Sequence, residues 1–142
     1  MTKKPRVLFV CVENSCRSQM AEGFARLRGS DRLDAFSAGS RPSGIVNPRA
    51  IDVMAELGYD LTTHASRGLD EVPGGPYDAI VTMGCGDSCP HLPAAARYDW
   101  EIPDPKHMPV EGFRDVRDEI GRRVEALIVE LSRPVPSATT ER

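Results

Sequence analysis

The sequence predicts an α/β fold, a parallel doubly wound four-stranded sheet flanked by helices, carried by a single domain over residues 1–132. Three observations predict it. Apolar runs of strand length alternate with amphipathic helical stretches, the pattern of strand-helix-strand units. A length of 142 residues suits one domain, which buries about two thirds of its unfolded surface. A hydrophobic fraction of 40% beside a charged fraction of 27% is ordinary for a globular chain, so disorder and fibrous classes drop out.

The elements follow in order. Arg6 to Val12 is a continuous apolar run, as expected of a parallel strand buried on both faces. From Arg17, Met20, Phe24 and Leu27 recur at helical spacing up to Gly29. Leu33 to Ala38 is a second strand, and Asn47-Pro48 caps a helix through Ala50, Met54 and Leu57 to Gly58. Tyr77 to Met83 gives a third strand and Arg97 to Trp100 a fourth. Phe113, Val116, Ile120, Val124, Leu127 and Leu131 trace one face of a long final helix, whose charged stretch from Arg114 to Arg123 is a solvated face. Residues 133–142, rich in Pro, Ser and Thr, are expected to form a flexible tail.

A net charge of −3 argues against a nucleic-acid-binding face, which carries a basic excess. The longest apolar stretches fall far short of the ~20 residues that span a bilayer, and the first residues lack a signal-peptide pattern. A cytoplasmic monomer without membrane or nucleic-acid partners is the expectation. The four cysteines, Cys11, Cys16, Cys85 and Cys89, are then mostly reduced, which favours catalysis or redox cycling over a structural disulfide framework.

Cys11-Val12-Glu13-Asn14-Ser15-Cys16-Arg17-Ser18 stands at the end of the first strand and spaces a cysteine and an arginine as Cys-x5-Arg before a helix. A loop of that length can wrap round a tetrahedral oxyanion, turning the amides of residues 12–18 inward while the helix adds its positive dipole end. The same field favours thiolate over thiol at Cys11, and Arg17 offers a planar fork to two anion oxygens. Ser18 is placed to donate to that thiolate. Cys16 reads as a residue that packs within the loop, and Asn14 as one that holds the loop's shape through side-chain bonds to backbone.

Cys85 and Cys89 sit four apart in the loop after the third strand, close enough in a helical turn for a reversible disulfide. Zinc would need His91 or His107 to converge, and redox use ranks above it. Asp104 is fixed between Pro103 and Pro105, a rigid setting that suits a general acid, although Asp-Pro is also a common turn. Tyr98 and Trp100 lie near it in sequence and read as core or rim rather than pocket wall. His64, His91 and His107 show no ligand spacing and read as surface or satisfied residues.

Residues 10–23, from Val10 through Cys11, Cys16, Arg17 and Glu22 to Gly23, resemble the phosphate-binding loop of arsenate reductases of the low-molecular-weight tyrosine phosphatase superfamily. The likeness continues through Ser37-Ala38-Gly39, Asn47-Pro48-Arg49-Ala50, Cys85, Cys89-Pro90, Asp104-Pro105 and Phe113 to Asp118. It covers nearly everything but the tail. The resemblance implies the phosphatase-like version of the fold and a thioredoxin-coupled arsenate reductase without a cofactor. Cys11 attacks arsenate, Arg17 and the loop amides hold its oxygens, and Asp104 protonates the departing hydroxide. Cys85 then attacks Cys11 and releases arsenite, and Cys89 moves the disulfide to Cys85, where thioredoxin reduces it.

Two departures stand out. Only Gly86, Asp87 and Ser88 separate Cys85 from Cys89, fewer than in the best-known thioredoxin-linked members. Some members bind potassium through positions like Asn14, Glu22 and Ser37 plus a later aspartate, but Arg67 stands where that aspartate is expected, so the ion is not predicted. A tyrosine phosphatase using Cys11, Arg17 and Asp104 alone, a reductase served by a low-molecular-weight thiol and an oxyanion sensor remain alternatives.

Overall fold

The computed structural model describes residues 4–84 and 92–132. Four parallel strands form one sheet: β1 (Arg6–Cys11), β2 (Asp34–Gly39), β3 (Tyr77–Thr82) and β4 (Ala94–Asp99), in the order β2-β1-β3-β4. Three helices accompany them: α1 (Arg17–Gly29), α2 (Pro48–Ala55) and α3 (Val110–Ser132). The chain leaves β1 in one direction to β2 and continues on the other side with β3 and β4, so a topological switch point lies beside β1. In open α/β sheets a ligand binds outside the carboxyl ends of the strands at such a point.

Side chains of β1 alternate between two apolar clusters. Val7, Phe9 and Cys11 join Met20, Phe24, Val53, Met54, Phe113, Ile120 and Val124 in the larger one, which gathers all three helices. Leu8 and Val10 join Ala38, Tyr77 and Ile80 in a smaller cluster, covered by Phe36, Leu69, Val72 and Leu92. Burial on both faces explains the unbroken apolar run of β1. Asn47 caps α2 by accepting from the Arg49 amide at 2.8 Å, with Pro48 in the first turn. Among the described residues no helix is long and apolar enough to cross a membrane.

Several boundaries differ from the sequence expectation. β1 and β3 end one residue earlier, at Cys11 and Thr82, and β2 begins at Asp34 rather than Leu33. α2 stops at Ala55, leaving Leu57 and Gly58 in the turn that follows. β4 spans Ala94–Asp99 rather than Arg97 to Trp100; its opening three alanines lack the apolar contrast by which a strand is read from sequence. Leu27 is 39% exposed, not part of the helix's buried face. Met20 and Phe24 are buried as expected, but the rest of the packed surface is made by small residues, with Ala21 and Ala25 buried and Gly29 pressed by Ile128, so the spacing of large side chains misplaced Leu27. The expected tail, residues 133–142, lies outside the described residues.

Candidate active site

At the carboxyl end of β1 the chain turns directly into α1 through residues 12–16. Asn14 takes the left-handed conformation, φ 50°, which Asn tolerates better than most residues. Its side chain is buried and makes four bonds. Nδ2 donates to Ser18 Oγ at 2.8 Å and to Ser37 Oγ at 3.0 Å, while Oδ1 accepts from the Arg67 amide at 2.7 Å and Gln19 Nε2 at 2.9 Å. The expectation of side chain to backbone bonds holds only for Arg67; the rest run between side chains. The loop is also pressed by β2: a Cβ on Gly39 would lie 2.5 Å from Val12 O and 2.8 Å from Asn14 N.

Cys11 Sγ and Ser18 Oγ are 2.8 Å apart. Ser18 Oγ is also the acceptor for Asn14, so its own proton is free to point at the sulfur, a geometry that supports a thiolate. Behind this, Ser37 Oγ donates to Glu22 Oε1 at 2.5 Å, and Arg26 Nε donates to Glu22 Oε2 at 2.7 Å. A hydrogen-bonded chain thus runs from the sulfur to a buried carboxylate neutralised by a guanidinium. The residues do not fit a potassium site, since the oxygens of Asn14, Glu22 and Ser37 are engaged by protein donors and Arg26 supplies the positive charge.

The cavity beside Cys11 has a volume of about 410 Å³ and is lined by Val12, Glu13, Ser15, Cys16, Arg17, Gly84 and Asp104 as well. Its floor is the start of α1, where backbone N–H groups lack helical partners and attract anions. Arg17 is nearly buried; its Nη1 donates to Ile102 O at 3.0 Å and its Nη2 lies 3.7 Å from Asp104 Oδ2. Gly84 has φ +78°, and a Cβ there would stand 2.5 Å from the Arg17 guanidinium, so the turn after β3 contributes a wall whose backbone and close approach favour glycine. Lys106 Nζ reaches both carboxylate oxygens of Glu13, at 3.1 and 3.0 Å.

Cys16 is buried, and desolvation together with the Asp104 charge pushes its thiol up to about 12. It is a neutral thiol at the cavity wall. The structure therefore gathers Cys11, Val12, Glu13, Ser15, Cys16, Arg17 and Asp104 round one space, with Asn14 and Ser18 behind it. Cys85, Cys89 and His91 lie outside the described residues. Trp100 packs on Phe9, ring centroids 6.1 Å apart, and lines a neighbouring cavity with Asp99, Glu101, Ile102, Pro103 and Gly84 rather than this one.

Sequence reasoning gave no site role to Gln19 and treated His64 as surface or satisfied. The His64 side chain is only 5% exposed; its Nδ1 meets Gln19 Oε1 at 2.8 Å and its Nε2 meets Tyr59 Oη at 2.6 Å. Gln19 Nε2 donates to Asn14 and to Ala65 O, so its oxygen accepts from Nδ1–H and Nε2 accepts from the phenol. Desolvation lowers the His64 pKa below its ordinary value. The sequence signal for this pair was faint: a glutamine inside an otherwise buried helix turn.

Comparison with known proteins agrees with this architecture. A glutaredoxin arsenate reductase of Synechocystis sp. is 38% identical over 130 residues, covering 89% of this chain and 98% of that protein. A solved arsenate reductase in the phosphate binding state superposes with a TM-score of 0.81 at 37% identity, covering 90% of this chain and 99% of the other. The thioredoxin-dependent arsenate reductase of Corynebacterium glutamicum gives 0.76 at 27% identity, covering 92% of this chain and 63% of the other. With the loop, the strand order and these likenesses in agreement, the match of residues 6–137 to the family model described as low molecular weight phosphotyrosine protein phosphatase means that the chain belongs to that family.

Proposed function

We propose that the chain reduces arsenate to arsenite, with Cys11 as nucleophile and with Cys85 and Cys89 supplying the electrons. The observation that carries this reading is the Cys11 sulfur, 2.8 Å from Ser18 Oγ, on a cavity whose walls include Arg17 and Asp104. Its substrate class comes from the relatives, which are named arsenate reductases. The two further cysteines in the sequence separate this chemistry from simple phosphoester hydrolysis.

The thiolate of Cys11 attacks arsenic(V). A sulfur–arsenic bond forms while an arsenic–oxygen bond breaks, and Asp104 protonates the departing hydroxide so that water leaves. Arg17 and the free amides at the α1 start hold the remaining oxygens. Cys85 then attacks the Cys11 sulfur, the sulfur–arsenic pair of electrons stays on arsenic, and arsenite leaves as arsenic(III). Cys89 attacks Cys85, restoring the Cys11 thiolate and leaving a Cys85–Cys89 disulfide that thioredoxin reduces by thiol exchange. A glutaredoxin-linked donor is the second reading, favoured by the name of the Synechocystis relative.

The test is arsenate-dependent NADPH oxidation with thioredoxin and its reductase, run beside glutaredoxin, glutathione and glutathione reductase. Consumption with one donor set identifies the donor. No consumption with either, together with hydrolysis of nitrophenyl phosphate, overturns the reductase in favour of a phosphatase. Bound arsenate without turnover in either assay points to a sensor. Cys11→Ser abolishes all turnover. Cys89→Ser allows one round and leaves a Cys11–Cys85 disulfide, read by mass mapping; a bridge containing Cys16 in the wild type refutes the relay.

A further inference from the structure

The segment that carries Asp104 touches the loop after β1 at two separate places. One is Arg17, which donates to Ile102 O at 3.0 Å and lies 3.7 Å from Asp104 Oδ2. The other is Glu13, whose carboxylate takes both its bonds from Lys106 Nζ at 3.0 and 3.1 Å. The Lys106 backbone N–H in turn donates to Asp104 Oδ1 at 3.1 Å. Asp104 therefore has one oxygen turned to the loop's arginine and the other held by the amide of the residue that the loop's glutamate grips.

Glu13 is a firm anchor. Its carbonyl accepts from the Ser43 amide and from Ser66 Oγ, each at 3.0 Å, and the constrained Asn14 follows it. Lys106 is the less enclosed partner, two residues beyond an aspartate whose side chain is 49% exposed. The side chains of Glu13 and Lys106 are themselves 38% and 42% exposed, so the pair contributes little to folding. A contact of that strength still decides where a short exposed loop spends its time. Asp104 needs such a constraint, because a general acid works only within hydrogen-bond reach of the oxygen it protonates.

We propose that Glu13 and Lys106 are positioning residues, a clasp from the loop after β1 to the loop after β4 that holds Asp104 at the cavity for proton delivery to the leaving oxygen. The inference rests on the arsenate-reducing role above. In the step concerned, Asp104 gives its proton to the hydroxide leaving arsenic as the Cys11 sulfur–arsenic bond forms, and it ends as a carboxylate.

The test measures the first turnover of arsenate at low ionic strength in three forms: wild type, the neutral double variant E13Q/K106M, and the charge-swapped E13K/K106E. The neutral double keeps the net charge, so it leaves the field at the anion largely unchanged while removing the clasp. Its maximal first-turnover rate falls roughly threefold, the scale of an exposed ion pair, with the arsenate concentration for half-maximal rate unchanged. The swap restores the rate to within about twofold, and the deficit shrinks as salt screens the pair. On an Asp104→Asn background the neutral double has no further effect, since both act through one group. An equal loss on that background, or a swap as slow as the neutral double, overturns the clasp. Hydrogen exchange of the Ile102 to Met108 segment gives a readout independent of turnover: protection drops in the neutral double and returns in the swap. Should the wild type fail to reduce arsenate, unchanged exchange still overturns the clasp by itself, whereas a drop in protection upholds it and leaves only the substrate in error.

Discussion

On the β1 side of the cavity, Asn14, Ser18, Gln19, Glu22 and Ser37 are buried and linked in a hydrogen-bonded network centred on Asn14. On the β4 side, Asp104 stands half exposed and is held by one long contact to Arg17 and one backbone bond. The nucleophile's support is part of the core, where polar groups are costly to strand. The acid's support is peripheral and weak. The nucleophile must be presented as a thiolate each time an oxyanion enters, while the acid need only reach the leaving oxygen. The loop after β1 is thus expected to couple activity to stability, and the loop after β4 to carry activity alone.

Asp104→Asn provides the largest effect that separates the two sides. An asparagine has no proton to give a leaving hydroxide, so the first turnover slows by roughly 10²-fold or more. Because the side chain is half exposed and its ion pair is long, the urea midpoint of unfolding stays within error of the wild type. A clear fall in that midpoint would erase the distinction between the two sides.

Gly39→Ala attacks the other side without touching a reacting atom. Its new methyl would stand 2.5 Å from Val12 O, 2.8 Å from Asn14 N and 2.9 Å from Glu13 C, all backbone atoms that cannot swing away. Overpacking of this kind costs about 1–3 kcal/mol, and the displaced loop loses activity together with stability. Urea unfolding and the arsenate assay, run on one preparation, read both. Loss of activity with unchanged stability would mean that the loop is more pliable than its bonds imply.

These two loops also differ in how legible they were. The Cys-x5-Arg spacing after an apolar strand announced Cys11, Arg17 and Ser18, since few arrangements besides an anion loop put those residue types there. The strand-helix alternation announced the parallel sheet, whose order β2-β1-β3-β4 came from the structure. The support behind the loop was less visible. Gln19, Glu22 and His64 act through contacts between residues up to 46 positions apart in sequence, from Gln19 to Ala65, and no local pattern encodes such pairings. Glu13 and Lys106, 93 positions apart, were hidden for the same reason. Leu27 was misplaced because α1 buries alanines and a glycine, residues that carry little periodic signal.

His64 gives the smallest effect and the finest probe of the buried side. Its ring is desolvated, and Glu22 Oε1 at 3.7 Å only partly offsets that burial and the nearby charges of Arg26 and Arg67, so its pKa falls below the ordinary 6.5. The unfolded chain therefore takes up a proton at a higher pH than the folded one. By linkage, the stability this neutral ring contributes is complete above about pH 6.5 and is lost as the pH falls from there toward the folded value. His64→Gln removes the titration. Between pH 7.5 and 5.5 the unfolding free energy of the wild type should drop more steeply than that of the variant, with Glu22 and Tyr59 common to both. Parallel curves would mean that the ring binds its proton equally well in the folded and unfolded chain, and a shallower wild-type curve would mean that folding raises its pKa so that the folded ring carries the proton. The phenol of Tyr59 would then be the acceptor at Nε2, and the buried network would carry one more positive charge behind the Cys11 loop.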